Sequence, residues 1–106
     1  LKNLVGTTRG IWAAHGEGKF VFPYKESEYY IPAKYHHSSY PANPNGSHYN
    51  AAMLTSKDGR HLVMMPHLER STFPWNWAHY PSDQNDEVSP WMLAFESAFS
   101  WLASKQ

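Results

Sequence analysis

Two short apolar runs on either side of a turn signal restrict the fold of this chain more than any other feature. Residues 51–55 read Ala-Ala-Met-Leu-Thr, residues 61–65 read His-Leu-Val-Met-Met, and Asp58-Gly59 lies between them. Apolar runs of this length around Asp-Gly predict a β-hairpin. The second run is apolar without alternation, which predicts a strand covered on both faces. Strand pairing is therefore expected to organise the middle of the chain.

Proline, glycine and hydrophobic spacing predict the remaining elements. Two prolines exclude a helix from residues 40–47, and Asn45-Gly46 there favours a tight turn. Residues 72–86 read as irregular and rich in tryptophan. Apolar or aromatic content predicts three further strands, at residues 10–14, 19–22 and 29–35.

The best helix signal starts at Ser89-Pro90, because serine is a favoured N-cap and proline suits the first helical position. The residues after it alternate between an apolar and a serine-rich face. We expect the apolar face to be buried. Its members are Trp91, Phe95, Ala98 and Leu102, and the opposite face carries Ser97, Ser100 and Ser104.

Composition excludes several function classes. The chain has 106 residues and a formal net charge of zero, so charge gives no basis for binding nucleic acid or an anionic membrane surface. No apolar run approaches the length of a bilayer span, and no signal-peptide pattern opens the sequence. The chain has no cysteine, which excludes disulfides and thiolate metal sites within it. A thiol nucleophile, if one is needed, must come from another stretch of polypeptide.

His67 and Glu69 follow the second apolar run and form the first candidate site. In an extended segment, side chains two residues apart point to the same side and can meet. A carboxylate that accepts a hydrogen bond from one ring nitrogen fixes the histidine tautomer and leaves the other nitrogen free to act as a base. The alternative is an ordinary loop histidine beside a solvated Glu69–Arg70 pair. Spacing alone favours that alternative, because His-x-Glu is short and common.

The segment His15-Gly16-Glu17-Gly18 is the second candidate. A turn flanked by glycines can present backbone N–H groups to a carboxylate or an oxyanion. The alternative is a simple turn between two apolar stretches. The loop at residues 43–46 also has two interpretations. It is either a rigid loop that shapes the edge of a site or an ordinary turn, and the ordinary turn is the safer interpretation.

Two further readings stay open on the residues alone. Seven histidines invite a metal-protein hypothesis, but none shows the helical spacing of a zinc-hydrolase motif, and no metal is expected. The second is a non-catalytic, aromatic-rich binding or interface module. Its platform would contain Trp75, Trp77, Tyr80 and Trp91, although such residues more often cover a core or a domain interface.

Four blocks in order resemble the end of the glutaminase domain of the phosphoribosylformylglycinamidine synthase family, the amidotransferases of purine biosynthesis. Each block alone is weak, but their order and spacing are specific and cover nearly the whole chain. With this resemblance, the catalytic interpretation of His67 and Glu69 is preferred over that of an ordinary loop histidine beside a solvated ion pair. The blocks are Ala-His-Gly-Glu-Gly at 14–18, Tyr-Pro-Ala-Asn-Pro-Asn-Gly-Ser at 40–47, Asp-Gly-Arg-His-Leu with Met-Met-Pro-His-Leu-Glu-Arg at 58–70, and Ser-Pro-Trp at 89–91.

This resemblance implies an α/β fold of the class I glutamine amidotransferase type, a mixed sheet with β-hairpins and a C-terminal helix. It implies that His67 is the base and Glu69 the orienting acid of a Cys-His-Glu triad. His15, Gly16 and Glu17 are its candidate substrate-binding residues. Ammonia released from glutamine would serve an ATP-dependent conversion of formylglycinamide ribonucleotide to the amidine.

The same resemblance sets limits on what the chain is expected to do alone. Residues 1–106 correspond to the C-terminal portion of one glutaminase domain, and the cysteine lies upstream in the family. The isolated chain is therefore expected to be inactive, with the rest of the amidotransferase and a synthetase domain as partners. No cofactor is expected in the chain, since ATP and magnesium belong to the synthetase domain, and the expected location is cytoplasmic. Leu68 departs from the family, which usually has proline there.

Overall fold

The predicted hairpin forms two strands of a three-stranded antiparallel sheet with the order β1-β2-β3. The strands are β1 (Tyr30–Lys34), β2 (Ala51–Thr55) and β3 (Leu62–Met64). The computed structural model describes residues 1–105. These residues divide into a sheet unit, Ala13–Pro66, and a helix unit made of residues 1–12 and 67–105.

The register of the sheet confirms the hairpin and the strand predicted at residues 29–35. In the hairpin, Met53 lies opposite Met64 and Thr55 lies opposite Leu62. The outer pair, β1 with β2, is irregular in register. The central strand of the sheet, β2, supplies its buried part, since the first three residues of β2 are all buried.

The expected cover on both faces of β3 is absent from the described residues. Leu62 is 40% exposed and Val63 is 53% exposed. The run is apolar, but β3 pairs on one side only, with β2. Its apolar residues therefore lie at the edge of this sheet, and the prediction of a strand buried on both faces is wrong for the chain as described.

The strand predicted at residues 19–22 is also wrong, because side chains take the place of a neighbouring strand. The Phe20 N–H donates to Ser47 Oγ at 3.0 Å, and the Phe22 N–H donates to His48 Nδ1 at 3.1 Å. One bond is between backbones, from the His48 N–H to the Phe20 carbonyl at 3.0 Å. Phe22 is buried. Its apolar side chain therefore indicates burial, but the segment does not pair as a strand.

Residues 10–14 form no strand either. In the helix unit, the Gly10 carbonyl accepts a hydrogen bond from Trp91 Nε1 at 2.9 Å. Trp12 Nε1 donates to the Asn76 carbonyl at 2.8 Å. Indole N–H groups thus hold this segment where the sequence predicted a strand ladder.

The helix α1 spans Met92–Ser104. Its start fits the predicted signal, since Ser89 Oγ accepts the backbone N–H of Trp91 at 3.2 Å and the Ser89 carbonyl accepts that of Met92 at 3.0 Å. A hydroxyl at this position satisfies a donor that the first helical turn leaves unpaired. The prediction of a helix opening at Ser89-Pro90 is therefore confirmed to within the usual uncertainty of helix ends.

The buried face of α1 is not the one that was predicted. Ala94 and Ser97 are buried, whereas Phe95 is 48% exposed and Leu102 is 58% exposed. The reason lies in a short 3₁₀ turn, Lys2–Leu4, that contacts α1. The Asn3 N–H donates to Ser97 Oγ at 3.3 Å, so a small polar residue is buried there and the bulky side chains are left exposed.

A three-stranded sheet and a C-terminal helix make the chain a small α/β protein, as the sequence predicted. All pairings among residues 1–105 are antiparallel. None of the helical segments in this part of the chain has the length and apolar character that crossing a membrane requires.

Candidate functional site

His67 and Glu69 form a direct hydrogen bond, with Nδ1 of the imidazole 2.7 Å from Oε1 of the carboxylate. An ionised carboxylate only accepts hydrogen bonds, so Nδ1 carries the proton in this contact. In neutral imidazole the lone pair then resides on Nε2. The contact predicted from the spacing is present, and it leaves one ring nitrogen able to take a proton.

The backbone reaches this contact by a different route from the one predicted. His67 itself is extended, with φ −102° and ψ 97°, but Leu68–Arg70 form a 3₁₀ turn. The turn is closed by hydrogen bonds from the Arg70 N–H to the His67 carbonyl and from the Ser71 N–H to the Leu68 carbonyl. Leu68 is only 3% exposed. Its side chain anchors the turn, while the residues on either side remain accessible.

The pair is accessible to solvent and electrostatically coupled. The His67 side chain is 42% exposed and that of Glu69 is 65% exposed. The hydrogen bond from His67 is the main reason that the pKa of Glu69 lies below its ordinary value, and a backbone hydrogen bond adds to the effect. The carboxylate is therefore ionised throughout the neutral range, as an orienting acceptor must be.

His15, Gly16 and Glu17 lie in a tight turn of the sheet unit. The Gly18 N–H donates to the His15 carbonyl at 3.1 Å and closes the turn. Gly16 has a φ of +60°, a conformation that favours glycine. At Gly18, an added Cβ would lie 3.1 Å from Met65 Sδ and 3.4 Å from the His15 carbonyl oxygen. The spacing of the two glycines is thus explained by backbone shape at one and close packing at the other.

Asn45 holds this turn from a distant part of the sequence. Its Nδ2 donates to the Gly16 carbonyl at 2.6 Å and to the Gly18 carbonyl at 2.9 Å. The same nitrogen lies 3.2 Å from His15 Nδ1. One carboxamide therefore contacts three residues of the turn, and these contacts span 27 to 30 positions of the chain.

The loop that carries Asn45 is itself fixed by a buried polar network. Asn43 is 3% exposed, and its Oδ1 accepts the Ser47 N–H at 2.9 Å. Its Nδ2 donates to the Ser47 carbonyl at 3.0 Å and to Asn50 Oδ1 at 3.1 Å. Between these residues, Gly46 has a φ of +74°, which fits the predicted tight turn. The loop at residues 43–50 is therefore held by side chains as well as by turn chemistry.

The predicted site residues fall into two groups, each of which is described within its own unit. His67 and Glu69 meet in the helix unit. His15, Gly16 and Glu17 share one turn in the sheet unit. Among residues 1–105, no group of three or more His, Asp or Glu side chains is placed to hold a metal ion.

The aromatic residues considered as a binding platform do not form one continuous set. Trp77 and Tyr80 meet edge to face at 5.0 Å, and Trp77 Nε1 donates to the Ser71 carbonyl. Trp75 is 74% exposed and stacks on Phe73 with ring centroids 4.6 Å apart. Most of these indoles thus have a structural contact within the helix unit, and Trp75 is the most exposed.

Sequence reasoning overlooked the role of Asn45. The Asn45-Gly46 pair predicts a tight turn, which accounts for the backbone but not for the contacts of the Asn45 side chain. The only signal for the contact was indirect, since both the loop and the glycine turn belonged to the same set of ordered blocks. Single-residue patterns do not indicate which distant carbonyl an amide will bind.

Comparisons with known proteins agree with this arrangement of blocks. The CobB/CobQ-like glutamine amidotransferase domain family matches residues 2–102. A probable phosphoribosylformylglycinamidine synthase of Arabidopsis thaliana, named chloroplastic/mitochondrial, is 40% identical over 98% of this chain. The phosphoribosylformylglycinamidine synthases of Dictyostelium discoideum and Homo sapiens are each 38% identical, over 98% and 95% of the chain.

The relatives are far longer than this chain, which spans only 8 to 9% of their length. The similarity therefore concerns one segment of each relative. It runs through both groups of candidate residues, because the family match starts before His15 and ends after Glu69. On this match, which covers nearly all of its residues, the chain belongs to the CobB/CobQ-like glutamine amidotransferase domain family.

Proposed function

We propose that this chain is the part of a glutaminase domain that provides the base and the orienting acid for hydrolysis of the glutamine side-chain amide. The observation that carries the proposal is the 2.7 Å hydrogen bond between His67 Nδ1 and Glu69 Oε1. It sits in a segment that the amidotransferase family match includes. A carboxylate behind an imidazole is the arrangement that activates a thiol or hydroxyl nucleophile.

The chemistry assigns one task to each side chain. Glu69 holds the Nδ1–H of His67, so that Nε2 accepts the proton of a cysteine thiol. The thiolate attacks the amide carbon of glutamine, and His67 returns the proton to the departing nitrogen, which leaves as ammonia. Water then attacks the glutamyl thioester with His67 again as base, and glutamate and the free thiol are released.

The nucleophile must be supplied by polypeptide outside residues 1–106, because these residues contain no cysteine. We therefore assign residues 1–106 to the C-terminal portion of a single glutaminase domain. The ammonia would be used by a synthetase domain in the ATP-dependent conversion of formylglycinamide ribonucleotide to formylglycinamidine ribonucleotide. The names of the relatives support this choice of synthase.

The test compares two nitrogen sources in the complete enzyme that contains this chain. We expect His67→Ala to lower glutamine-dependent synthesis by about 10²- to 10⁴-fold, the usual contribution of a general base. Synthesis from added ammonium salt should stay within about twofold of the wild-type rate, because free ammonia needs no glutaminase.

His79→Ala is the matched control, since His79 is also an exposed histidine of the helix unit. Both activities of this control should match the wild type. Equal loss of glutamine-dependent and ammonia-dependent synthesis in His67→Ala would show that His67 has a structural role, and the proposal would be abandoned. Unchanged glutamine-dependent synthesis would contradict it as well.

A further inference from the structure

The 3₁₀ turn that follows His67 ends at a peptide group that side chains hold in place. The Ser71 N–H closes the turn by donating to the Leu68 carbonyl at 3.0 Å. The Ser71 carbonyl accepts one hydrogen bond from Ser89 Oγ and a second from Trp77 Nε1, the latter at 3.1 Å. A carbonyl oxygen has two acceptor positions, so two side-chain donors fill both of them and fix the end of the turn.

Ser89 connects the end of this turn to the beginning of helix α1. Its hydroxyl donates to the Ser71 carbonyl, and its backbone N–H donates to the Thr72 carbonyl at 2.7 Å. The same hydroxyl oxygen accepts the N–H of Trp91 at 3.2 Å, just before α1 starts. One side chain therefore joins two parts of the helix unit that lie 18 positions apart in the sequence.

The two serines are buried, whereas the candidate catalytic pair is accessible. Ser71 is 0% exposed and Ser89 is 2% exposed. The side chains of His67 and Glu69 are 42% and 65% exposed. Its burial keeps the Ser89 hydroxyl out of reach of a substrate. A change at Ser89 therefore reaches the pair through the turn that lies between them.

We infer that Ser89 is a positioning residue, which holds the turn after His67 so that the imidazole is placed for proton transfer. The inference rests on the proposed glutaminase function, which makes His67 the base. The contact of His67 with Glu69 spans only two residues, so it fixes the tautomer but not the place of the turn. The bond from Ser89 to the Ser71 carbonyl supplies that placement. Placement matters because a shift of about 1 Å can lower a catalysed rate about 10²-fold.

Ser89→Ala in the complete enzyme tests the inference, because it removes the hydroxyl and keeps the backbone N–H. We expect kcat for glutamine-dependent synthesis to fall about 10- to 10²-fold. The KM for glutamine should stay within about threefold, since a misplaced base weakens the transition state and not the bound substrate. Ammonia-dependent synthesis should stay within about twofold of the wild-type rate. An unchanged kcat would overturn the inference.

Single-turnover kinetics separate a misplaced base from a damaged domain. With enzyme in saturating excess over labelled glutamine, the rate constant for loss of glutamine describes the folded molecules alone. We expect Ser89→Ala to lower this rate constant as much as it lowers kcat. A wild-type rate constant would mean that only the number of folded molecules had changed, and the inference would be abandoned.

The double variant His67→Ala with Ser89→Ala shows whether Ser89 acts through the base. If it does, the double variant should be as slow as His67→Ala alone, to within about twofold, because no imidazole remains to be placed. A larger further loss would mean that Ser89 acts by another route, which contradicts the inference.

Trp77→Phe separates the hold on the turn from the start of α1. It removes the other donor to the Ser71 carbonyl and leaves the contacts of Ser89 with Trp91 in place. We expect kcat to fall by about threefold or more with little change in KM. An unchanged kcat would mean that the Ser71 carbonyl does not place the base.

Ser97→Ala is the matched control for the loss of a buried hydroxyl. Ser97 is 6% exposed, lies in α1 and accepts the Asn3 N–H. Its kcat should stay within about twofold of the wild type, and a loss equal to that of Ser89→Ala would rule out a specific role for Ser89. His67→Ala, measured alongside, reports on the proposed function, which fails if that variant keeps the wild-type rate. A slow His67→Ala beside a Ser89→Ala with wild-type kcat would sink the positioning role alone.

Discussion

The two groups of candidate residues are held in opposite ways. The His67–Glu69 pair is joined by one hydrogen bond between residues two positions apart, and both side chains are substantially exposed. The His15–Gly18 turn is held by Asn45 across 27 to 30 positions, and the loop of Asn45 is fixed in turn by the buried Asn43. One group is encoded locally and the other depends on the fold.

This difference has a consequence for how each group responds to change. Substituting a member of an exposed pair removes a contact without leaving a buried polar group unpaired, so stability should hardly respond. Removing a buried amide from a network leaves several groups without partners. Substitutions in the His67–Glu69 pair should therefore lower catalytic activity and hardly change the free energy of unfolding. Substitutions in the hydrogen-bond network of Asn43 should lower the free energy of unfolding.

Asn43→Ala should have the largest effect on stability. It removes three hydrogen bonds and leaves the N–H of the buried Ser47 without its partner, while the Ser47 carbonyl keeps only the N–H of Asn50. We expect the free energy of unfolding to fall by about 3 kcal/mol, as for other losses of buried hydrogen-bonded groups. Urea unfolding would measure it, with Asn85→Ala as the control because Asn85 is an exposed asparagine with no side-chain hydrogen bond among residues 1–105. A loss no larger than that of Asn85→Ala would mean that the network does not stabilise the loop.

A medium effect is expected at the hairpin, where local encoding can be tested apart from the site. Gly59 has a φ of +74°, and its N–H donates to the Ser56 carbonyl at 3.0 Å. Gly59→Ala places a side chain in a backbone conformation that disfavours it, at a cost of about 1 kcal/mol. Thermal unfolding would report the change. The matched substitution Gly10→Ala, at a glycine without positive φ and with open space around it, should cost less.

The smallest effect concerns the titration of Glu69. Its folded pKa lies below the ordinary value because His67 donates a hydrogen bond to it. At pH values above the ordinary titration range of a carboxyl group, the contact therefore stabilises the folded state. This stabilisation is lost as the pH falls through the folded pKa of Glu69.

Carbon-13 NMR of the Glu69 carboxyl should show that low pKa, and His67→Ala should raise it toward the ordinary value. His79→Ala should not. An unchanged Glu69 pKa in His67→Ala would mean that the hydrogen bond does not persist in solution.

The sequence predicted those parts of the structure that short-range chemistry determines. The hairpin follows from two apolar runs around Asp58-Gly59, and α1 follows from Ser89-Pro90. The contact of His67 with Glu69 needs only a spacing of two residues, so it formed even though a 3₁₀ turn replaced the expected extended segment.

Two of the failed strand predictions share a physical cause, which is that side chains from distant parts of the sequence took the place of an expected neighbouring strand. Ser47 and His48 replaced a strand beside Phe20 and Phe22. The turn at Lys2–Leu4 selected the small Ser97 for burial instead of a bulky neighbour. Local patterns record the tendency of a segment to be buried or extended, but they do not record which distant group will satisfy its hydrogen bonds.

The central claim is that His67 acts as the base for a cysteine supplied from outside residues 1–106. The most direct measurement is acid-quenched single turnover of the complete enzyme with labelled glutamine, which counts the protein-bound glutamyl thioester. We predict that the wild type and His79→Ala accumulate the labelled intermediate, and that His67→Ala forms it about 10²- to 10⁴-fold more slowly. Formation of the thioester at the wild-type rate in His67→Ala would contradict the account.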